Sequence, residues 1–439
     1  MTAYRWRWLG LVALLTAEAM NLLDATIVQI AGPSVQADLG GSVTSIQWFG
    51  NAYTLPFALL LITGGRLGDI AGRRRVFRIG VTAFLLASLA CALAPSVGVL
   101  IALRAVQGAA AAVIIPQTIG LIRAMFGPAE LSTALGTIGP VMGLAAVCGP
   151  VLGGLLTGAD LFGSTWRAVF LVNVPLSLGV LAIAPRLIED RAPRRPRLDP
   201  AGTALVMIGT GLIVYPVTEG HLGGADWAAI ALGLLVLVAF GVHQRRARGP
   251  LLELSLFSGR AFPAALVTST LFFAATTGLT LVVVLYLQLG LGLSVLAAGL
   301  TLLPWSAGLA VGSLLAGSVL VPRFGRRIMF VGLGVLLAGV LAAEASTGRV
   351  ELLVPLGIAG IGMGLFAPAF FTSALKPLRE QEIGSASGLL NAVQQLGATL
   401  GVAVLGSVYL NGSLDAAWLC AAGLLVAATI PALTMGWGQ

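Results

Sequence analysis

Fourteen apolar stretches of helix length follow one another along this chain, and a sequence with that pattern belongs in a lipid bilayer. They run over 9–31, 46–64, 76–94, 98–122, 133–156, 167–185, 201–217, 227–243, 261–287, 295–319, 328–344, 352–373, 385–409 and 415–435. The seventh and eighth are short enough to be misread as a re-entrant pair. Composition agrees: 58% of the 439 residues are apolar and 10% are charged. A water-soluble domain carries about 25% charged residues and needs them to coat its surface. An ordinary cytoplasmic enzyme is therefore excluded. The 58 glycines and 21 prolines predict closely packed, locally interrupted helices. Arginines precede the first stretch, as in a signal peptide, but Glu18 and Asp24 interrupt it, so it reads as the first span.

Charge placement gives orientation. An even number of spans puts both termini on one side. Of the 25 Lys and Arg, 22 fall on that side, two (Arg167 and Arg349) on the other, and Arg104 within a span. The positive-inside rule makes the terminal side cytoplasmic. The net charge of +8 then reflects topology and anionic-lipid contact, not a nucleic-acid surface. Cys91, Cys148 and Cys420 stand singly in apolar stretches, and the two histidines, His221 and His243, fall in predicted loops, so no metal site is expected. The chain lacks a G-x-x-x-x-G-K-S/T loop, and the glycine-rich Gly357–Gly364 lies inside a span with no strand before it. No cofactor and no enzymatic chemistry are expected. Energy should come from a proton gradient or the membrane potential.

A short motif occurs twice. GGRLGDIAGRRR (Gly64 to Arg75) follows the second stretch, and GSVLVPRFGRR (Gly317 to Arg327) follows the tenth. Gly64 pairs with Gly317, Gly72 with Gly325, and Arg73 and Arg74 with Arg326 and Arg327, on the same side of the membrane. This is the pattern of two parallel halves. The expected domains are an N-terminal six-helix bundle (1–185), a linker with two additional transmembrane helices (186–260), and a C-terminal six-helix bundle (261–439). The Arg- and Pro-rich segment 185–200 reads as a solvated, non-helical connection.

These motifs resemble the major facilitator superfamily, and more narrowly its fourteen-span drug:proton antiporters. GGRLGDIAGRRRV (Gly64–Val76) is similar to the family's loop 2–3 signature, and LLDATIVQIAGP (Leu22–Pro33) to its first-helix signature. LIALRAVQGAAAA (Leu100–Ala112) resembles the fourth-helix motif, with its buried Arg and following Gln-Gly. GPVMGLAAVCGPVLGG (Gly139–Gly154) resembles the fifth-helix motif associated with antiporters. WRAVFLVNVP (Trp166–Pro175) and GSASGLLNAVQQLGATLG (Gly384–Gly401) match two further subfamily stretches. Two departures stand out: Gln29 and Gly32 replace the usual Asn and Leu of the first motif, and Pro322 replaces the acid in the second loop copy, which then lacks the acidic latch. The resemblance implies an all-α polytopic membrane protein of the major facilitator fold. It would be a monomeric antiporter of the bacterial inner membrane, exporting lipophilic, cationic drugs or toxic compounds in exchange for protons. An exporter of an endogenous lipid, glycolipid or antibiotic is the alternative.

Apart from Arg78 and Arg167 at span ends, Glu18, Asp24, Arg104 and Glu344 place charge inside the spans, and a charge in hydrocarbon needs a partner or a cavity. Asp24 is the expected proton-coupling carboxylate, or else a structural acid pinned between helices. Arg104 is expected to tune it, and the resemblance ties this Arg to proton relay. Glu18, six residues before Asp24, lies about 120° round the helix and about 9 Å away along it. It would bind a cationic substrate or carry a second proton. Glu344 reads as an end residue or a gate element. Further substrate-binding candidates are Gln29, Asn51, Tyr53, Gln117, Asn173, Asn391 and Gln395, the last two sharing a helix face. A conformational latch is expected at Gly65, Gly68, Asp69, Gly72, Arg73 and Arg74, where Asp69 would hold a helix end or a neighbouring Arg. Gly139, Pro140, Gly143, Gly149, Pro150, Gly153 and Gly154 are expected to pack a bendable fifth helix. Expected partners are protons, a lipophilic small molecule and membrane lipids, with no nucleic acid.

Overall fold

The computed structural model describes residues 4–159, 163–190, 197–220, 223–247, 249–346 and 348–435. Those residues are helical apart from turns and short connections, and fourteen helices are long and apolar enough to span a membrane. They are α1 (Arg7–Leu39), α2 (Thr44–Ala71), α3 (Arg73–Ala92), α4 (Val97–Met125), α5 (Thr133–Gly158), α6 (Thr165–Arg186), α7 (Pro200–Glu219), α8 (Gly224–Arg246), α9 (Ala261–Gly290), α10 (Val295–Phe324), α11 (Arg327–Glu344), α12 (Arg349–Leu375), α13 (Glu382–Asn411) and α14 (Leu414–Thr434). The chain is a multi-pass membrane protein. α7 and α8 are 20 and 23 residues long, which is full spanning length, not the half-length of a re-entrant pair.

Two local expectations are corrected. The segment Gly64–Ala71 is not a loop but the last two turns of α2, whose ladder runs on to Gly72 N–H donating to Gly68 O at 2.9 Å. The break is one residue wide. Gly72 has φ 98, a conformation that side chains resist, and α3 starts at the next residue. The second copy breaks the same way at Gly325, φ 56. His243 sits in the last turn of α8 and not in a loop. His221 and residues 191–196 of the Arg- and Pro-rich segment lie outside the described residues.

The chain divides into two compact units, one of residues 1–209 with 236–251, the other of 210–235 with 252–439. The division passes through α7 and α8. In the first unit α2 and α4 meet backbone to backbone: a Cβ at Gly64 would fall 2.9 Å from Ala112 C, and one at Gly108 would fall 2.8 Å from Tyr53 C. In lipid, such close approach is what joins helices, because apolar side chains gain little from leaving an apolar solvent. The second unit joins α9 to α13 at Gly401 and α11 to α12 at Gly362 in the same way. Its core is aromatic. Phe272 stacks on Phe366 with centroids 3.7 Å apart, and Phe366 stacks on Phe370 at 5.2 Å.

Candidate functional site

Asp24, midway along α1, is fully buried. A carboxylate there needs its lone pairs filled from neighbouring helices. Arg104 of α4 pairs with it through Nη1. Gln107, one turn further along α4, donates Nε2–H to Oδ1 at 2.9 Å, and Asn173 of α6 donates Nδ2–H to the same oxygen at 2.7 Å. Arg104 is itself held in place. Its Nε donates to Phe49 O at 3.0 Å, its Nη1 to Gln107 Oε1 at 2.7 Å, and its guanidinium carbon lies 4.3 Å from the Tyr53 ring centroid. That geometry is a buried cation–π contact. Gln107 also donates to Ser88 Oγ at 2.9 Å and accepts a weak bond from the Cys91 thiol. The Tyr53 hydroxyl donates to Asn21 Oδ1. One buried ion pair thus collects polar groups from α1, α2, α3, α4 and α6.

The candidates are redistributed by this geometry. Asn173 and Tyr53, grouped in the sequence with substrate contacts, are spent on Asp24 and Arg104. Gln117 donates to Gly64 O at 2.8 Å and Val113 O at 3.1 Å, so its amide staples α4 to α2. Asn51 is fully buried. Gln29 is half-buried with an amide nitrogen that has no partner among the described residues. Asn391 is exposed and Gln395 half-buried, both on α13 in the other unit. Glu18 is not part of the Asp24 cluster; its carboxyl lies beside the Thr118 hydroxyl. Glu344 is half-buried at the end of α11.

The network also includes groups the sequence reading did not assign. Gln107 stood in the quoted fourth-helix motif, and its i,i+3 spacing from Arg104 was the available signal. Ser88, Asn21 and the Phe49 carbonyl carried none.

The loop signature forms a second polar cluster. Asp69 Oδ1 accepts from Arg73 Nη2 at 2.9 Å across the Gly72 break. Arg73 reaches Asp190 with both its side chain and its backbone N–H, the latter at 2.9 Å to Asp190 O. Arg74 pairs with Glu189 and donates to Leu187 O at 3.0 Å. The start of α3 is thereby tied to the chain leaving α6. Gly68 faces the Gln117 side chain, and Gly65 touches Pro116. In α5 the packing motif splits. Gly149 and Gly153 press against Thr26 and Ile27 of α1, with buried Pro150 and Gly154 beside them. Gly139 and Gly143 face open space, and Pro140 is exposed.

A third cluster anchors the extra pair of helices. Asp199 accepts from Gly202 N–H, His243 Nε2 and Gln244 Nε2, each at 2.8 Å. Burial pushes the Asp199 carboxyl up, but these three donors outweigh it and leave the group below the usual carboxylate range. Arg66 of α2 donates to Arg197 O at 2.9 Å and Gly249 O at 3.0 Å, and Thr63 bonds Thr203 at 3.0 Å.

The family model described as Major Facilitator Superfamily matches residues 14–402. The "Probable actinorhodin transporter" of Streptomyces coelicolor is 45% identical over 421 residues, covering 92% of this chain and 73% of that protein. The puromycin resistance protein pur8 of Streptomyces alboniger is 39% identical over 444 residues, covering 98% and 87%. A crystal structure of a peptide transporter is similar in fold alone, with a TM-score of 0.69 at 17% identity, covering 97% of this chain and 93% of that one. Matched in sequence over most of its length, this chain belongs to the Major Facilitator Superfamily and is a transporter, not an enzyme.

Proposed function

We propose that the chain is a proton-driven exporter of lipophilic small molecules in a bacterial inner membrane, with both termini cytoplasmic, and that Asp24 carries the coupling proton. The observation that carries this reading is the convergence of Arg104, Gln107 and Asn173 on one buried carboxylate. All three hold α1 to α4 and α6 only while Asp24 is an acceptor. A proton on Oδ1 turns an acceptor into a donor and sets O–H against the two amide N–H groups. Asn173 Oδ1 has no partner among the described residues, so turning that amide over would offer the proton an acceptor. Arg104 loses its counter-charge but keeps Phe49 O, Gln107 and the Tyr53 face. Loading and unloading the proton would thus release and regrip α1. Glu18, beside the Thr118 hydroxyl and outside the Asp24 cluster, is the acid assigned to a cationic substrate. Export of an endogenous antibiotic is the second reading, favoured by the names of the two relatives.

The test is flux in proteoliposomes under an imposed pH gradient, with a lipophilic cation and an uncharged aromatic antibiotic as substrates. Asp24→Asn should abolish gradient-driven flux of both. Glu18→Gln should abolish cation flux and spare the uncharged compound. Full gradient-driven flux in folded Asp24→Asn would overturn the coupling role. Wild-type flux of the uncharged compound alone would favour the second reading.

A further inference from the structure

The arginines after Gly72 fall into two groups. Arg73 and Arg74 are engaged by Asp69, Asp190 and Glu189. Arg75 and Arg78 are exposed, and among the described residues their guanidinium groups meet no acid and no carbonyl. They open instead onto a groove of about 760 Å³ on the outer face of α3 and α6, continued by Ile79, Thr82, Leu86 and Leu181. Positions 75, 78, 79, 82 and 86 recur at intervals of three and four, which is one face of α3. Ile79 and Leu86 are 57% and 59% exposed, so no protein covers this face. The Thr82 hydroxyl is spent on Arg78 O at 2.9 Å, leaving the wall above the arginines apolar.

Those features specify an occupant: an anion at one end and a hydrocarbon chain along the rest. From Arg75 to Leu86 the stripe climbs about 16 Å, the depth of one leaflet of a hydrocarbon core of about 30 Å. A guanidinium pair one turn apart suits a phosphate diester. The arginines lie on the side where the sequence places nearly all its basic charge.

We infer that this groove binds one anionic phospholipid, its phosphate between Arg75 and Arg78 and an acyl chain along Ile79, Leu86 and Leu181. Leu181 precedes by one turn Pro185, whose carbonyl accepts from Arg74, so the lipid would bridge α3 and α6 beside the contacts that already tie them.

Native mass spectrometry of the detergent-purified protein tests this, titrating phosphatidylglycerol, phosphatidylcholine or inorganic phosphate. One phosphatidylglycerol should be retained by the wild type, and Arg75→Gln with Arg78→Gln should weaken it by about 30-fold, the loss expected for two basic residues at a membrane surface. Phosphatidylcholine retention should be weaker than phosphatidylglycerol in the wild type and unchanged by the substitutions. Inorganic phosphate should neither bind detectably nor displace the lipid. Unchanged phosphatidylglycerol binding in the double variant would overturn the inference, and displacement by inorganic phosphate would show a free-anion site instead. Should the double variant misfold, the wild type decides alone: equal retention of the two lipids would refute charge recognition.

Discussion

The two units solve the problem of polar groups in lipid in opposite ways. The first buries a charge pair, Asp24 with Arg104, and directs amides from two helices onto it. The second has no buried ion pair among its described residues. Three of its buried hydroxyls bond within their own helices: Thr268 on Ala264 O, Thr276 on Phe272 O, Thr399 on Gln395 O. Between them lies the Phe272–Phe366–Phe370 stack. The repeated turn differs likewise. Both copies break at a glycine of positive φ, but Arg73 has Asp69 and Asp190 where Arg326 stands exposed next to Gly325, with Pro322 in the place of the acid. A proton on Asp24 would change the bonding of the first unit's interior, whereas the second unit shows no buried ion pair among its described residues. The proposed proton chemistry would therefore belong to the first unit alone.

The strongest way to break this comparison is to remove the charge. Arg104→Met leaves Asp24 buried and unpaired and should destabilise the protein by about 3–5 kcal/mol. Thr276→Val in the second unit removes a self-contained hydroxyl and should cost about 1 kcal/mol or less. Thermal unfolding of both variants in detergent measures the difference, and equal losses would mean the first core is not held by its charges. A smaller effect is expected at the turns. Asp69→Asn removes a partly exposed partner of Arg73 and should cost up to about 1 kcal/mol, while slowing transport. Pro322→Asp places an acid four residues before Arg326, restores the spacing of the first copy, and should shift stability by no more than about 0.5 kcal/mol. A large transport change from Pro322→Asp would show that the second turn is also a working part.

The smallest effect concerns pH. Asp199 is held below the usual carboxylate range, so its contribution is present above about pH 3.9 and is lost as pH falls through its lower folded value. The melting difference between wild type and Asp199→Asn should therefore be constant near neutrality and shrink in acid. A difference that grows on acidification would overturn this assignment.

Much of this was legible in the sequence. Fourteen spans announce themselves because a bilayer demands long apolar stretches, and Asp24 and Arg104 stand out because charge is expensive there. That they meet, 80 residues apart, is a fact of packing that no spacing rule supplies. The same holds for Asn173, 149 residues from its acceptor. Polar residues such as Gln117 are ambiguous for a physical reason: in lipid, an amide facing a neighbouring helix can serve a backbone carbonyl as well as a ligand. Gly64–Ala71 read as a loop because glycine and charge usually end a helix, yet only Gly72 takes a conformation that does so.

One contact described with the fold governs how any motion must be shared. At Gly108 the backbone of α4 rests on the backbone of α2 at Tyr53, with no side chain between them to compress or rotate. Tyr53 is also the ring beneath Arg104. Arg104 is thus mounted on a stiff two-helix beam that supplies both its anchor and its cushion. When the charge opposite it is neutralised, the beam has little freedom to recoil. Under the proposed coupling, the displacement would fall to α1, turning an event at a single oxygen atom into the movement of a whole helix.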